Sequence, residues 1–312
     1  MKTKNQRIAF LFPGQGAQYP GMAKDFYHQF SAARLTFDEA DEILKRPISK
    51  IILDGSEAVL TETRNSQTGI YIASIAMLRV VQELYDIKPY VCAGLSLGEY
   101  TALTAGEWLS FRLALPLVQH RGQFMNEACE STPGTMAVVM GMEASQVDEI
   151  VREVNLPNEL WVANYNCPGQ VVISGTKQGV EAGTALAKSR HAKRVLPLQV
   201  HGAFHSGLMQ EAKVKLATFI NKAPLVQGTA ELVMNVPGGF VKDLEKVRQN
   251  LIDQVTHAVR WEQGIRAIEE EQVDLFIEFG PGKTLSGMNK RIGVSAPTIS
   301  IEKVADLDQL IS

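Results

Sequence analysis

The feature that most constrains the fold is a serine between two glycines, in the segment G-L-S-L-G from Gly94 to Gly98. An apolar run, Tyr90 to Ala93, precedes the segment, and a helical pattern begins at about Glu99. G-x-S-x-G at a strand-to-helix junction is the pattern of a nucleophile elbow, a sharp turn that exposes the oxygen of Ser96. A strand that leads directly into a helix is typical of an α/β fold with a parallel sheet.

Other segments extend the α/β prediction along the chain. The apolar run Ile8 to Phe12 predicts a buried strand, and the glycine-rich turn P-G-Q-G-A-Q follows it from Pro13 to Gln18. Ser110 is a candidate N-cap for a helix that contains Pro116, which we expect to kink it. Further predicted elements are helices at 32–44, 70–85 and 111–127, and a strand at 275–278 before the turn F-G-P-G-K.

The pattern changes after Pro133 and Gly134, where strands and helices are predicted in the order β-α-β-β-α-β. The predicted strands are 136–140, 159–163, 170–174 and 194–198, and the predicted helices are 145–154 and 178–189. This order is the ferredoxin-like motif. We therefore predict a large α/β-hydrolase-like domain with a parallel sheet, formed by residues 1–129 and 199–312, and an inserted ferredoxin-like subdomain at 130–198.

Composition excludes several classes of protein. The 312 residues are 45% hydrophobic and 21% charged, which is typical of a soluble globular protein, and the net charge of −3 does not favour nucleic-acid binding. The first apolar run is too short for a signal peptide, and no stretch approaches the roughly 20 apolar residues of a membrane span. The three cysteines lack C-x-x-C spacing, which indicates free thiols. We expect a cytoplasmic monomer that binds neither nucleic acid nor membrane.

A nucleophilic serine needs a neighbouring base. Of the six histidines, His205 is the best candidate, because it lies in the small-residue segment G-A-F-H-S-G just after the predicted insert. A loop of this kind can place a histidine over an elbow in the same domain. From their positions alone, His201 and His257 compete for the same role.

Six segments together resemble the malonyl-CoA:acyl carrier protein transacylase family, and also the acyltransferase domains of polyketide and fatty acid synthases. The similarity covers nearly the whole chain, and the segments occur in the order found in the family. They are F-P-G-Q-G-A-Q from Phe12, G-L-S-L-G-E-Y from Gly94, R-G-Q-F-M from Arg121, N-Y-N-C-P-G-Q-V-V-I-S-G from Asn164, G-A-F-H-S from Gly202 and G-P-G-K from Gly280.

The resemblance implies roles for the residues around the elbow. Ser96 is expected to be the nucleophile and His205 its base, with an oxyanion hole formed by the backbone N–H groups of Gln15 and Leu97. In this family a backbone carbonyl orients the histidine, and we expect the carbonyl of Arg260 to supply it.

The resemblance also implies how the substrate is bound. Arg121 is expected to pair through two hydrogen bonds with the free carboxylate of a malonyl group, a geometry that suits a guanidinium group. Phe204 is associated with malonyl rather than branched acyl groups, and Gln67 and Asn166 take supporting places. A displacement of Arg121 by a kink at Pro116 would affect malonyl selectivity first.

The implied activity is a ping-pong transfer of malonyl from malonyl-CoA to the phosphopantetheine thiol of acyl carrier protein, without a metal or other cofactor. Fatty acid synthesis is the expected setting for a free-standing chain. One rival is a serine esterase or thioesterase, which usually carries an acidic third triad member and no carboxylate-binding arginine. Another is a non-catalytic docking module with the same fold.

Coenzyme A and carrier proteins are acidic, so a basic surface is expected despite the net charge. A solvated charged face explains each candidate cluster equally well. The two clusters are Lys188, Arg190, Lys193 and Arg194, and Lys283, Lys290 and Arg291.

Overall fold

The computed structural model describes residues 6–200 and 202–310. His201, one of the competing bases considered above, lies outside the described residues. The strands are Ile8–Phe12 (β1), Val91–Gly94 (β2), Thr135–Met140 (β3), Leu160–Cys167 (β4), Gln170–Gly175 (β5), Arg194–Pro197 (β6), Glu231–Met234 (β7), Gly239–Phe240 (β8), Val259–Arg260 (β9), Leu275–Phe279 (β10) and Thr298–Ile301 (β11).

The helices bear out the helical patterns of the sequence and add several short ones. They are Lys24–Gln29 (α1), Ser31–Leu44 (α2), Ile48–Asp54 (α3), Glu57–Thr61 (α4), Thr63–Tyr85 (α5), Gly98–Ala105 (α6), Phe111–Ser131 (α7), Ala144–Val154 (α8), Lys177–Ser189 (α9), Gln210–Ile220 (α10), Leu244–Asp253 (α11), Trp261–Glu270 (α12) and Thr284–Ile292 (α13). Short 3-10 helices cover Gly207–Met209 and Val304–Leu310. None of the described helices is both long enough and apolar enough to cross a membrane.

The larger sheet has the strand order β11-β10-β1-β2-β7-β8 and is parallel except for the pairing of β7 with β8. Both faces of β1 are buried. Phe10 and Phe12 belong to one apolar cluster, and Ala9 and Leu11 to another on the opposite face. Burial on both faces explains why this strand is a continuous apolar run rather than an alternating one.

The register of this sheet brings the glycine-rich turns together. Phe12 in β1 lies opposite Gly94 in β2, and Leu11 lies opposite Glu278 in β10. Because parallel strands end at the same edge of a sheet, the turns that follow β1, β2 and β10 meet at one place. The turns are in contact, since a Cβ atom on Gly14 would lie 2.5 Å from the Leu95 carbonyl oxygen.

The smaller sheet has the strand order β6-β3-β5-β4-β9. Its first four strands come from the predicted insert and are antiparallel to their neighbours. Helices α8 and α9 cover one face through an apolar cluster that includes Val147, Ile150 and Val180. The fifth strand, β9, comes from later in the chain and pairs in parallel with β4, which the sequence did not predict.

The glycines of the elbow are required by close backbone packing. A Cβ atom on Gly98 would lie 2.1 Å from the Phe12 carbonyl oxygen, and one on Gly94 would lie 1.9 Å from the Gly98 carbonyl. Helix α7 continues through Pro116 from Phe111 to Ser131. Arg121, five residues after the proline, therefore stays on the helix that was predicted to carry it.

Replacement of Gly98 by alanine should lower the free energy of unfolding by about 3 kcal/mol or more, because its methyl group meets backbone rather than a movable side chain. The matched control is Gly287→Ala in α13, where the added Cβ meets nothing within 4 Å. The control should gain about 0.5–1 kcal/mol from helix propensity. Urea unfolding measures both, and equal stability of the two variants would contradict the packing argument.

Candidate active site

Ser96 lies in the turn between β2 and α6 and has a φ of 52°, in the left-handed region that a non-glycine residue rarely adopts. The side chain of Asn235 holds this turn. Its Oδ1 accepts from the Ser96 N–H at 2.7 Å, and its Nδ2 donates to the Gly94 carbonyl at 2.8 Å. One amide therefore satisfies both sides of the elbow. Sequence reasoning missed Asn235, which follows β7 at the same edge of the sheet.

His205 contacts the serine as predicted. Its Nε2 lies 2.8 Å from Ser96 Oγ, and its Nδ1 lies 2.8 Å from the Gln254 carbonyl oxygen. A carbonyl only accepts hydrogen bonds, so Nδ1 carries the proton and the neutral imidazole presents Nε2 as an acceptor. The rival His257 is exposed, and its Nδ1 faces the Asp253 carbonyl at 2.9 Å.

The prediction that the Arg260 carbonyl orients His205 was wrong. The orienting carbonyl belongs to Gln254, the residue that caps the end of α11. The last carbonyls of a helix have no partner within the helix, so this one is free for the imidazole. Arg260 lies in β9, where its N–H donates to the Asn235 carbonyl at 2.9 Å and its side chain covers the ring of Tyr165.

Burial lowers the pKa of His205 from 6.5 to about 4, and the positive charge of Arg121 adds to this effect. Backbone groups of Gln254 and His257 act in the opposite direction. The side chain is only 4% exposed. His205 is therefore a neutral base over the ordinary range of pH.

Arg121 projects from α7 into the site and is 1% exposed. Its Nη2 donates to Ser96 Oγ at 3.0 Å and to Gln254 Oε1 at 2.8 Å, and its Nη1 donates to Gln67 Oε1 at 2.6 Å. In residues 6–200 and 202–310 no carboxylate forms an ion pair with it. The structure thus places a buried cation beside the nucleophile, with neutral amides as its other partners.

A cavity of about 270 Å³ opens over Ser96 and His205. Its lining includes Gln15, Gln67 and Met125, which precede the smaller sheet in the chain, and Asn166 from β4 of that sheet. Phe204, also predicted as a site residue, borders the cavity and is 6% exposed. The Oδ1 of Asn166 is buried and has no hydrogen-bond partner in the described part of the chain.

The two turns predicted to form the oxyanion hole lie together at this cavity. Leu97 is the N-cap residue of α6, and Gln15 follows β1 in the turn that contacts Leu95. The hydrogen bonds found among the described residues include none donated by the backbone N–H of Gln15 or Leu97. The side chain of Gln15 is held separately, since its Oε1 accepts from Gln67 Nε2 at 3.2 Å. The oxyanion role of the two N–H groups stays a prediction.

The chain is similar to known acyltransferases over nearly its whole length. Residues 9–305 match the family model described as acyl transferase domain. The malonyl CoA-acyl carrier protein transacylase of Bacillus subtilis (strain 168) is 43% identical over 296 residues, which cover 95% of this chain and 93% of that protein. The enzyme of the same name from Staphylococcus aureus (strain MRSA252) is 36% identical and covers 96% of this chain and 97% of its own.

A solved structure is also similar over almost its whole length. A malonyl-transacylase in complex with a type II PKS acyl-carrier protein has a TM-score of 0.93 and 35% identity, covering 97% of this chain and 98% of that one.

The low pKa of His205 predicts the pH dependence of Ser96 reactivity. Only the neutral imidazole removes the serine proton, so the rate of labelling by a fluorophosphonate should fall below a pH of about 4, rather than below the ordinary 6.5. Mass spectrometry gives the rate, with Ser96→Ala as the unlabelled control. In the unfolded state the imidazole of His205 has its ordinary pKa of 6.5 and is protonated before the folded state is, so the free energy of unfolding decreases as the pH is lowered from 6.5 to about 4. Folding must therefore be followed in parallel. A half-maximal rate near 6.5 would contradict the burial argument.

Proposed function

This chain belongs to the acyl transferase family, and from that premise we propose that it moves a malonyl group from malonyl-CoA to the phosphopantetheine thiol of an acyl carrier protein. The observation that carries the proposal is the buried guanidinium of Arg121, 3.0 Å from the Oγ of Ser96. The similar proteins named above support the acyl donor and the carrier, because their names specify malonyl CoA and acyl carrier protein.

The first half-reaction forms a malonyl ester on Ser96. His205 Nε2 takes the hydroxyl proton while Oγ attacks the thioester carbonyl carbon. The oxyanion accepts hydrogen bonds from the N–H groups of Gln15 and Leu97. When the carbonyl re-forms, the carbon–sulfur bond breaks, and the coenzyme A thiolate takes the proton from His205.

The second half-reaction reverses these steps with a different thiol. His205 removes the proton of the carrier's phosphopantetheine thiol, and the sulfur attacks the ester carbonyl carbon. The carbon–oxygen bond to Ser96 then breaks, and the serine oxygen recovers the proton from His205. One histidine thus acts as base and acid in both halves.

Selectivity for malonyl is proposed to come from Arg121. A malonyl group on Ser96 carries its carboxylate two carbon atoms beyond the ester carbonyl carbon, within reach of a guanidinium at hydrogen-bond distance from Oγ. The hydrogen bonds to Gln67 and Gln254 are to neutral amides, so no carboxylate within residues 6–200 and 202–310 is hydrogen-bonded to this guanidinium. Hydrogen bonds between a buried guanidinium and a carboxylate are stronger than those between neutral groups.

The other cavity residues are proposed to shape the acyl and pantetheine sites. Phe204 narrows the cavity against an added methyl group, which contributes about 1–3 kcal/mol of discrimination. The unpartnered Oδ1 of Asn166 is available to accept a hydrogen bond from the substrate. Gln67 supports the site indirectly, through its contacts with Arg121 and Gln15.

We further propose the finer architecture predicted from the sequence: an α/β-hydrolase-like domain of residues 1–129 and 199–312, with a ferredoxin-like insert at 130–198. The antiparallel order β6-β3-β5-β4 supports the insert, and the elbow after a parallel strand supports the larger domain. We also propose a cytoplasmic monomer of fatty acid synthesis, with three buried free cysteines consistent with a reducing compartment.

The rival esterase or thioesterase is less well supported by the same geometry. Such enzymes usually orient histidine with an acidic residue. Here the acceptor of the His205 Nδ1–H is a backbone carbonyl, and the cation beside Ser96 has no counterpart in their mechanism.

The carrier protein is proposed to dock at the basic cluster of Lys283, Lys290 and Arg291. Arg291 donates to Gln170 Oε1 at 3.0 Å, and Gln170 borders the cavity. Each cluster includes an ion-paired residue, since Lys283 pairs with Asp306 and Arg190 of the other cluster pairs with Glu149 and Glu153. The cluster of Lys283, Lys290 and Arg291 is favoured because its side chains are exposed and Arg291 contacts a residue that borders the cavity.

Incubation with malonyl-CoA alone should add one malonyl mass to the intact protein, and Ser96→Ala should abolish the addition. In Arg121→Ala the rate of malonylation should fall on the order of a hundredfold, since a buried charge loses its partner. Acetylation by acetyl-CoA should change far less in that variant. Release of free malonate without a covalent species would favour the hydrolase.

Charge reversal tests the docking site. The double variant Lys290→Glu/Arg291→Glu should raise the KM for the carrier protein about tenfold at low salt and leave the malonylation of Ser96 unchanged. The matched control is Lys188→Glu/Lys193→Glu in the other cluster, which should leave that KM unchanged. The opposite pattern would move the docking site to the control cluster.

A further inference from the structure

Glu99, in the first turn of α6, is a fully buried carboxylate three residues after the nucleophile. Its Oε1 accepts from the Asn235 N–H at 2.7 Å, and its Oε2 accepts from Gln254 Nε2 at 2.6 Å. Both oxygens thus face N–H donors. Burial raises the pKa of Glu99 to about 8, and these donors and the charge of Arg121 oppose the shift. The mechanism described above does not use this carboxylate.

The carboxylate determines which way the Gln254 amide points. With Nε2 directed at Glu99, the Oε1 of Gln254 is directed at Arg121 Nη2, 2.8 Å away. The same Nε2 also donates to the Ser96 carbonyl at 2.9 Å. A reversed amide would place N–H groups against the guanidinium and a carbonyl against the carboxylate, so the anion on one side and the cation on the other select a single orientation.

The other oxygen of the carboxylate, Oε1, is linked to the elbow through Asn235. By accepting from the backbone of Asn235, Glu99 fixes the residue whose side chain bonds the Ser96 N–H and the Gly94 carbonyl. The two carboxylate oxygens therefore act on different parts of the site. The hydrogen bond of Oε1 to Asn235 supports the strained turn of Ser96, and the hydrogen bond of Oε2 to Gln254 supports the guanidinium of Arg121.

We propose that Glu99 is a positioning residue which, through the side chain of Gln254, holds Arg121 in the orientation that favours acyl groups ending in a carboxylate. The inference rests on the proposed function and deepens it. The path from Glu99 to Arg121 passes through one amide, so loss of the anion disturbs malonyl recognition more than the reactivity of Ser96.

The test compares Glu99→Gln with the native protein by the ratio of malonylation to acetylation rates of Ser96, with malonyl-CoA and acetyl-CoA as donors. The assay is run at about pH 9, above the raised pKa of Glu99. A glutamine offers one oxygen and one NH₂ group to two N–H donors, so one hydrogen bond is lost. The ratio should fall about tenfold, and Glu99→Asp, which keeps the charge, should recover part of it.

Glu278→Gln is the matched control. Glu278 is the other buried glutamate of the described chain, and it accepts from the N–H groups of Leu285 and Ser286 and from the Ser300 hydroxyl. It has no hydrogen bond to the residues around Ser96. Its neutralisation should lower the thermal midpoint of unfolding while the ratio of malonylation to acetylation stays native.

A double-mutant cycle separates positioning from general destabilisation. In an Arg121→Ala background, Glu99→Gln should no longer change the ratio, because the side chain on which it acts is gone. If Glu99→Gln does not fold, Gln254→Met interrupts the same path and keeps the backbone carbonyl that orients His205. That variant should show the same fall in the ratio.

The outcomes separate this inference from the proposed function. If the native protein forms no malonyl-serine, the proposed function fails. If the native protein is malonylated, and Glu99→Gln (or Gln254→Met) keeps the native ratio, the positioning role is overturned. A parallel loss of both rates also overturns it, since Glu99 would then serve only the elbow.

Discussion

Phe12 and Gly94 lie opposite each other in two parallel strands, and the active site depends on this register. It brings the turn after β1 against the turn after β2, so the two turns proposed to supply the oxyanion donors border one cavity. Gly98 packs on the Phe12 carbonyl, which sets the start of α6 and with it the position of Ser96. A slip of register would separate Gln15 from Leu97 and leave the serine without either donor.

The buried guanidinium of Arg121 and the buried carboxyl of Glu99, which is charged above its raised pKa of about 8, are kept apart by an amide. Arg121 and Glu99 are each almost completely inaccessible, and burying either alone would be costly. A direct ion pair would lower that cost but would occupy the guanidinium. With Gln254 between them, the charges still attract through a short hydrogen-bonded path, and the arginine remains available to an incoming carboxylate. The neutral spacer therefore lowers the cost of burial and, in the proposed function, leaves the guanidinium to the malonyl carboxylate.

The sequence predicted the parts of the site that carry local patterns. Ser96 lies in a glycine-flanked turn and His205 in a small-residue loop, and the structure brings the two together. Arg121, recognised only through the family resemblance, also lies at the serine. The order of strands and helices in the insert was likewise predicted, because the spacing of its apolar residues changes between the strand and helix patterns along one continuous stretch.

The features of the site and fold that were missed depend on contacts between distant parts of the chain, and two of the three have no local sequence pattern. Gln254 lies 158 residues after Ser96, and its role comes from a carbonyl left free at the end of a helix. Strand β9 has two residues, too few for a periodic signal, and its pairing with β4 was missed. Asn235 had a usable signal: an apolar run ends just before it, at the edge where the other parallel strands end.

His205 is oriented by a backbone carbonyl rather than by a carboxylate. This difference helps to explain why an acyl-serine at this site should react with a thiol rather than with water. A neutral acceptor adds no negative charge, and burial with Arg121 nearby lowers the pKa of the imidazole to about 4. Such a weak base assists a thiol, with a pKa of about 8.5, far better than water, with a pKa of about 15.7. A weak base of this kind therefore favours transfer between thiols over hydrolysis of the acyl-serine.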